Sequence, residues 1–154
     1  MNKPALLQAI IERLTVDLDV AQRAAQTAYE TATHEENVAE NKYDTLGLEA
    51  SYLATGQARR MEEIRHGLAK FRALQLRDLQ AGIELGALVA LDSESGVRQW
   101  FFLGPDAAGL KLDFEGCTVM VITPRSPLGQ SLLGKSVDDE VSMAGNVQVI
   151  AQVI

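Results

Sequence analysis

Four carboxylates crowd into one stretch, Thr33 to Gly47, which reads T-H-E-E-N-V-A-E-N-K-Y-D-T-L-G. Glu35, Glu36, Glu40 and Asp44 face a single cation, Lys42, so the local balance is four minus one, or −3. Carboxylate oxygens are the ligands that Mg²⁺ prefers. On an exposed turn with no cavity of its own, nothing would shift their pKa values or exclude water. Such groups either solubilise a turn or act inside another molecule's pocket. His34 stands beside them as a metal ligand in type, but no second histidine is near.

Other chemistry is missing from the chain. There is no G-x-G-x-x-G, no H-E-x-x-H and no G-x-S-x-G. Ser126 and Ser131 have no neighbouring histidine to activate them. The single cysteine, Cys117, excludes an intrachain disulfide and a Cys-based metal site, and it reads as a small buried hydrophobe. The expectation is a protein that is not itself an enzyme and has no cofactor of its own.

Two long helical patterns must position the acidic stretch. Apolar residues recur at Leu7, Ile11, Leu14, Leu18, Ala21, Ala25, Ala28 and Ala32, in alternating steps of four and three. No Gly or Pro interrupts residues 5–36, and Pro4 suits a first turn. A rod of roughly 45–50 Å follows from 1.5 Å per residue. Asn37, Asn41 and Gly47 weaken the pattern, and a second helix starts near Thr45–Glu49. Its stripe is Leu46, Ala50, Leu53, Ala54, Met61, Ile64, Leu68, Phe71 and Leu74, with Gln57 and Arg60 close to it. Residues 75–83 end this helix, with Gly82 as the stop. The product is an antiparallel helical hairpin over residues 1–80 with an acidic tip at 33–47. Arg59, Arg60, Arg65, Lys70, Arg72 and Arg77 make the return helix cation-rich. That face is either a solvated, ion-paired surface or one turned towards RNA by Arg59, Arg60 and Arg65.

Residues 81–154 change period. Ala87–Leu91, Arg98–Leu103, Cys117–Thr123, Glu140–Met143 and Val147–Ile154 are β-favouring runs between Gly, Asp, Ser and Pro. Ala144-Gly145-Asn146 reads as a hairpin turn. Ser126 can cap a short helix, with Pro127 at its first position and Gly134 at its end, laying Leu128, Leu132 and Leu133 on the sheet. Trp100, Phe101 and Phe102 read as core, or as the lining of a shallow groove. The fold class is α+β, a helical hairpin followed by a small antiparallel β domain with one short helix.

The chain has 154 residues and a formal net charge of −7. Residues 1–80 hold 10 Lys/Arg and 12 Asp/Glu, and residues 81–154 hold 4 and 9. An acidic balance argues against autonomous nucleic-acid binding, which neutralises phosphates. No stretch approaches 18 apolar residues, and the opening apolar run is too short for an export signal. The expectation is a cytoplasmic protein that does not span a membrane.

The run S-P-L-G-Q-S-L-L-G-K-S-V-D-D-E-V, Ser126 to Val141, resembles the S-P-x-x-x-x-L-x-G-K-x-x-x-D-x-V segment of the GreA/GreB family. These are bacterial transcript-cleavage factors of RNA polymerase. I-E-L-G-A-L-V, Ile83 to Val89, resembles the opening of that family's first C-terminal strand. The family's tip pattern is approximately G-D-L-x-E-N-A-E-Y, against E-N-V-A-E-N-K-Y here, Glu36 to Tyr43. Glu40-Asn41 match the family's functional pair. The family's Asp falls on Asn37 and its Gly on Glu36, and Tyr43 arrives one residue early.

The resemblance implies an FKBP-like C-terminal domain that docks on the polymerase through Ser126, Pro127, Leu128, Gly134 and Lys135. It implies a hairpin inserted in the secondary channel, touching nascent RNA only within the elongation complex. Glu40, with Glu36 or Asp44 as the second carboxylate, would help hold a Mg²⁺ shared with the polymerase and orient a water on backtracked RNA. Asn37 is a poorer Mg²⁺ ligand than a carboxylate. Cleavage stimulation, non-cleaving occupation of the channel and a homodimeric coiled-coil scaffold are the three readings the sequence leaves open. A folded-back hairpin corresponds to a monomer.

Overall fold

The computed structural model describes residues 1–34, 46–79 and 81–154. The element order is α1 (Lys3–Thr33), α2 (Leu46–Ala73), β1 (Leu88–Ser93), β2 (Arg98–Leu103), β3 (Lys111–Phe114), β4 (Cys117–Ile122), α3 (Pro127–Leu132), β5 (Glu140–Met143) and β6 (Asn146–Val153). The chain divides into two units: Met1–Ile11 with Ala69–Ile154, and Glu12–Leu68 between them. The boundary crosses both helices. Lys3–Ile11 of α1 and Ala69–Ala73 of α2 belong to the first unit, and the rest of both helices to the second.

Helix α1 opens with Asn2, whose Oδ1 accepts from the Ala5 amide at 3.0 Å. Its buried line is Lys3, Leu6, Ile10, Leu14, Ala21 and Ala28. Leu7, Ile11, Leu18, Ala25 and Ala32 are only half-buried. The expected seam therefore holds through Leu14, Ala21 and Ala28, but near the base burial centres on Leu6 and Ile10 instead of Leu7 and Ile11. There the helix belongs to the β-containing unit and meets a different surface from the seam further on.

In α2 the half-buried line runs Ala54, Gln57, Met61 and Ile64 before fully buried Leu68 and Phe71. Leu53 is 56% exposed, a correction to the expected stripe. Leu46 and Ala50 fall outside the described side chains. The helix closes at Ala73, where the Leu74 amide donates to the Phe71 carbonyl at 3.2 Å. Gly82 is therefore not its stop. With φ +108°, Gly82 lies against Gly134: a Cβ there would sit 2.7 Å from the Gly134 carbonyl oxygen. The Ile83 amide donates to Lys135 O at 2.8 Å and the Gly134 amide to Ile83 O at 2.9 Å.

The six strands form one sheet in the order β3-β4-β2-β1-β6-β5. Pairing is antiparallel except between β2 and β4, which run parallel with Trp100 opposite Val119 and Phe102 opposite Val121. The sheet is thus antiparallel-dominated, in line with the expected fold class, with one parallel pair inside it. Strand β3 was not foreseen. It folds back on β4 through Glu115 (φ 49°) and Gly116 (φ 78°), and β5 joins β6 through Ala144 (φ 51°) and Gly145 (φ 80°), two left-handed pairs that match strand twist.

Alternation gives the sheet two faces. One carries Val89, Leu91, Phe101, Leu103, Ile122, Val141 and Ile150, packed with Ile83, Ala87 and Leu132 of α3. The register of β1 against β6 shifts between Ala90 and Leu91. That irregularity lets Val153 and Ile150, an odd and an even position, both serve this core. The opposite face carries Leu88, Ala90, Phe102, Val119 and Val121, all fully buried. Phe71 packs there: a Cβ on Gly104 would lie 2.8 Å from its ring and 3.1 Å from Val121. Trp100 and Cys117 are half-buried, not core.

Candidate functional site

The tip residues Glu36, Asn37, Glu40 and Asp44 lie outside the described residues. The approach to them is described on both sides. At the end of α1, the hydroxyls of Thr31 and Thr33 donate to the carbonyls of Thr27 (3.0 Å) and Tyr29 (2.9 Å), and Gln26 donates to Glu30 at 2.9 Å. The two hydroxyl contacts are back-bonds to carbonyls four residues earlier within the helix, which such hydroxyls share with the helical ladder. In the first turn of α2, Glu49 places negative charge against the positive end of the helix dipole. His34 is exposed.

Four large side chains near these helix ends stand in solvent: Tyr29, Leu48, Tyr52 and Leu53 are each 50–68% exposed. Sequence reasoning missed the first three because none lies on a seam. Leu48 and Tyr52 are spaced i,i+4, which puts them on one outer face of α2. That spacing was the available signal.

Arg59, Arg60 and Arg65 are all exposed. Arg65 pairs with Glu62 one turn away. Arg59 and Arg60 make no ion pair among the described residues. On α1, Arg13–Asp17 and Arg23–Asp19 close at 3.2 Å each. Among the described residues of this unit, the cations without an ion pair are thus on α2.

The expected docking residues sit around α3. The Ser126 hydroxyl donates to Thr123 O at 2.7 Å and accepts from the amides of Thr123 and Gly129 at 3.3 Å each. It caps the helix, and Pro127 occupies the first position, where its missing N–H costs nothing. Leu128 packs partly on the core and Leu132 wholly. Gly134 (φ +79°) turns the chain, and Lys135 is half-buried. Leu133, expected on the sheet, is instead 43% exposed, with Val137 at 46%. These two apolar side chains flank Gly134 and Lys135, and sequence reasoning did not assign them a surface role. Beside the segment opens a cavity of about 390 Å³, lined in part by Lys70, Asp106, Thr123 and Arg125. Lys70 Nζ donates to Asp106 Oδ2 at 3.1 Å across it.

Among the described residues no three His, Cys, Asp or Glu side chains converge to hold a metal. No helix among the described residues is long and apolar enough to cross a membrane.

No protein-family model matches the chain, and no curated protein matches it. Solved structures do. Over nearly its whole length the chain is similar to GreA factor homologs. The GreA factor homolog 1 (Gfh1) protein of Thermus thermophilus is 23% identical, with 94% of each chain covered and a TM-score of 0.40. A structure of the transcription factor Gfh1 is 26% identical, with 93% of this chain and 92% of that one covered and a TM-score of 0.39. Thermus aquaticus Gfh1 is 20% identical over 92% of both chains, with a TM-score of 0.36.

Proposed function

We propose that this protein is a Gre-type transcription factor that binds RNA polymerase and works through its helical hairpin. The observation that carries the reading is the Ser126–Val141 segment, in which the residues of the family resemblance coincide with the constraints of the local fold. Ser126 caps, Pro127 starts the helix, Leu132 is buried, Gly134 turns at positive φ and Val141 enters the core. The order of elements, two long helices and then a mixed sheet with one short helix, agrees with it.

On this reading the α1–α2 hairpin enters the secondary channel of the polymerase. Thirty-one residues of α1 make a rod of roughly 45 Å. Glu40, with Glu36 or Asp44, would help hold a second Mg²⁺ shared with the polymerase, and the ion would supply a water oriented on backtracked RNA. The surface around Leu133, Gly134, Lys135 and Val137 holds the polymerase rim. The chemistry remains the polymerase's.

A second reading, a channel-occupying regulator that does not cleave, is favoured by one residue: Asn37 stands where the resemblance places an Asp. A stalled, backtracked elongation complex with 3′-labelled RNA and Mg²⁺ separates the two. Short 3′ fragments with the parent protein and none with Glu40→Ala establish cleavage. Absence of fragments, together with competition against a cleavage-competent Gre factor, establishes the regulator. Neither cleavage nor competition would sink both.

A further inference from the structure

The cavity of about 390 Å³ beside α3 lies wholly within the first unit, among the end of α2, the loop after β2 and the turn after β4. Its walls are pinned. The amides of Gly104 and Gly109, on either side of the loop, donate to Ile122 O and Val121 O at 2.8 Å each. In the turn, the Ser126 amide donates to Thr123 O at 3.0 Å. Asp106 is the only acid among the lining residues, and both its oxygens are engaged. Oδ2 accepts from Lys70 Nζ at 3.1 Å, and Oδ1 from the Ala107 amide at 2.7 Å.

What the side chains leave over is donors. An ammonium carries three N–H groups, and Lys70 gives one to Asp106. The Arg125 guanidinium, with five, and the Thr123 hydroxyl make no hydrogen bond or ion pair among the described residues. Two cations against one carboxylate leave the cavity at +1, on a chain whose formal charge is −7. The rest of the lining is apolar, Pro105, Pro124 and Leu85 among it, and Leu85 is 39% exposed. Water can meet each donor, but it neutralises no charge and leaves Leu85 wet.

We propose that this cavity binds an organic carboxylate, its charged head on Arg125 and Lys70 and its apolar body against Leu85. A guanidinium matches a carboxylate with two parallel N–H···O bonds, and such charge-assisted bonds are roughly twice as strong as neutral ones. Apolar walls with a few polar groups that fix orientation are the usual makeup of a ligand cavity. A free small acid carries this chemistry, and so does a glutamate side chain of a partner chain.

The test is an amide NMR titration of the full chain at neutral pH with sodium isovalerate, sodium chloride replacing it at equal ionic strength in the control. Saturable shifts are expected at the backbone amides of residues 106–108 and of Thr123 and Arg125, with Kd on the order of millimolar. Acetate, which has the head and little of the body, binds about tenfold more weakly. Arg125→Gln weakens isovalerate binding about tenfold. Lys70→Met leaves the Asp106 carboxylate unneutralised beside the anion and abolishes binding. A capped Ala-Glu-Leu-Ala peptide identifies the source of the group. Tighter binding than isovalerate assigns the site to an acidic side chain of a partner chain, and weaker binding assigns it to a free small acid. No saturable shift with either probe, equal affinity for acetate and isovalerate, or undiminished binding by Arg125→Gln overturns the proposal. Only the chain itself is titrated, so each outcome is independent of polymerase binding.

Discussion

The ammonium of Lys3 donates to the main-chain oxygen of Ile154 at 3.0 Å, and to that of Arg77 at 3.4 Å. One buried cation in the first turn of α1 thereby ties together the helix base, the segment after α2 and the end of β6. Burial lowers its pKa below the ordinary lysine value, with Asp78 and Glu84 pulling the other way.

Lys3→Ala is therefore expected to lower stability by about 1–2 kcal/mol, and Lys3→Met, which retains the packed stem, by less. The pH dependence has a defined sign. Because the folded pKa is depressed, the unfolded chain binds more protons in the window between that pKa and 10.5. The parent should gain stability relative to Lys3→Met as pH rises through the window. Urea titrations of both proteins across alkaline pH would show it, and a gap that moves the other way would contradict the assignment.

Two glycines give opposite predictions. A Cβ on Gly129 would lie 1.9 Å from Thr123 O, a backbone atom held in the same turn that Ser126 caps. Gly129→Ala should cost about 3 kcal/mol or more, since a backbone has nowhere to retreat. Gly56 sits inside α2 with nothing within 4 Å of an added Cβ. Gly56→Ala should stabilise by about 0.5–1 kcal/mol. Thermal melting of the two variants distinguishes crowding from helix propensity.

Around α3, fold and recognition can be separated. Ser126→Ala removes the cap and should cost about 1 kcal/mol. Leu133→Ser and Val137→Ser alter exposed side chains and should change stability by no more than about 0.5 kcal/mol. If this surface holds the polymerase, the latter pair weakens binding about tenfold or more in a fluorescence-anisotropy assay with purified polymerase. Unchanged affinity in both would move the docking surface elsewhere.

Arg59→Glu with Arg60→Glu reverses two adjacent cations of α2 that make no ion pair among the described residues. Helicity should be unchanged. Affinity for a stalled elongation complex should fall, and the salt dependence of binding should become shallower, if the face lies along RNA. An unaltered salt slope would mark it as a solvated surface.

How much of this was legible in the sequence depends on whether the deciding contact is local. The cap at Ser126, the start at Pro127 and the left-handed turn at Ala144-Gly145 depend on a few neighbouring residues, and each was readable. The same turn chemistry at Glu115-Gly116 signalled β3, but the four-residue strand Lys111–Phe114 was too short to stand out. The parallel β2–β4 pair depends on contacts across the sheet that periodicity does not encode. Leu6 displaced Leu7, and Leu53 was left in solvent, because what covers each helix changes along its length. The acidic stretch, where the expected chemistry lies, was legible only as composition and resemblance.

Both outer strands of the sheet are four residues long, and both are charged. Strand β3 turns Lys111 and Asp113 to solvent, while β5 opens at Glu140, just after Asp138 and Asp139. A foreign strand that tried to extend the ladder at either rim would have to strip water from these groups. The guard is electrostatic, mixed in sign at the β3 rim and wholly anionic at the β5 rim, so a visiting strand would meet a different charge at each end of the sheet.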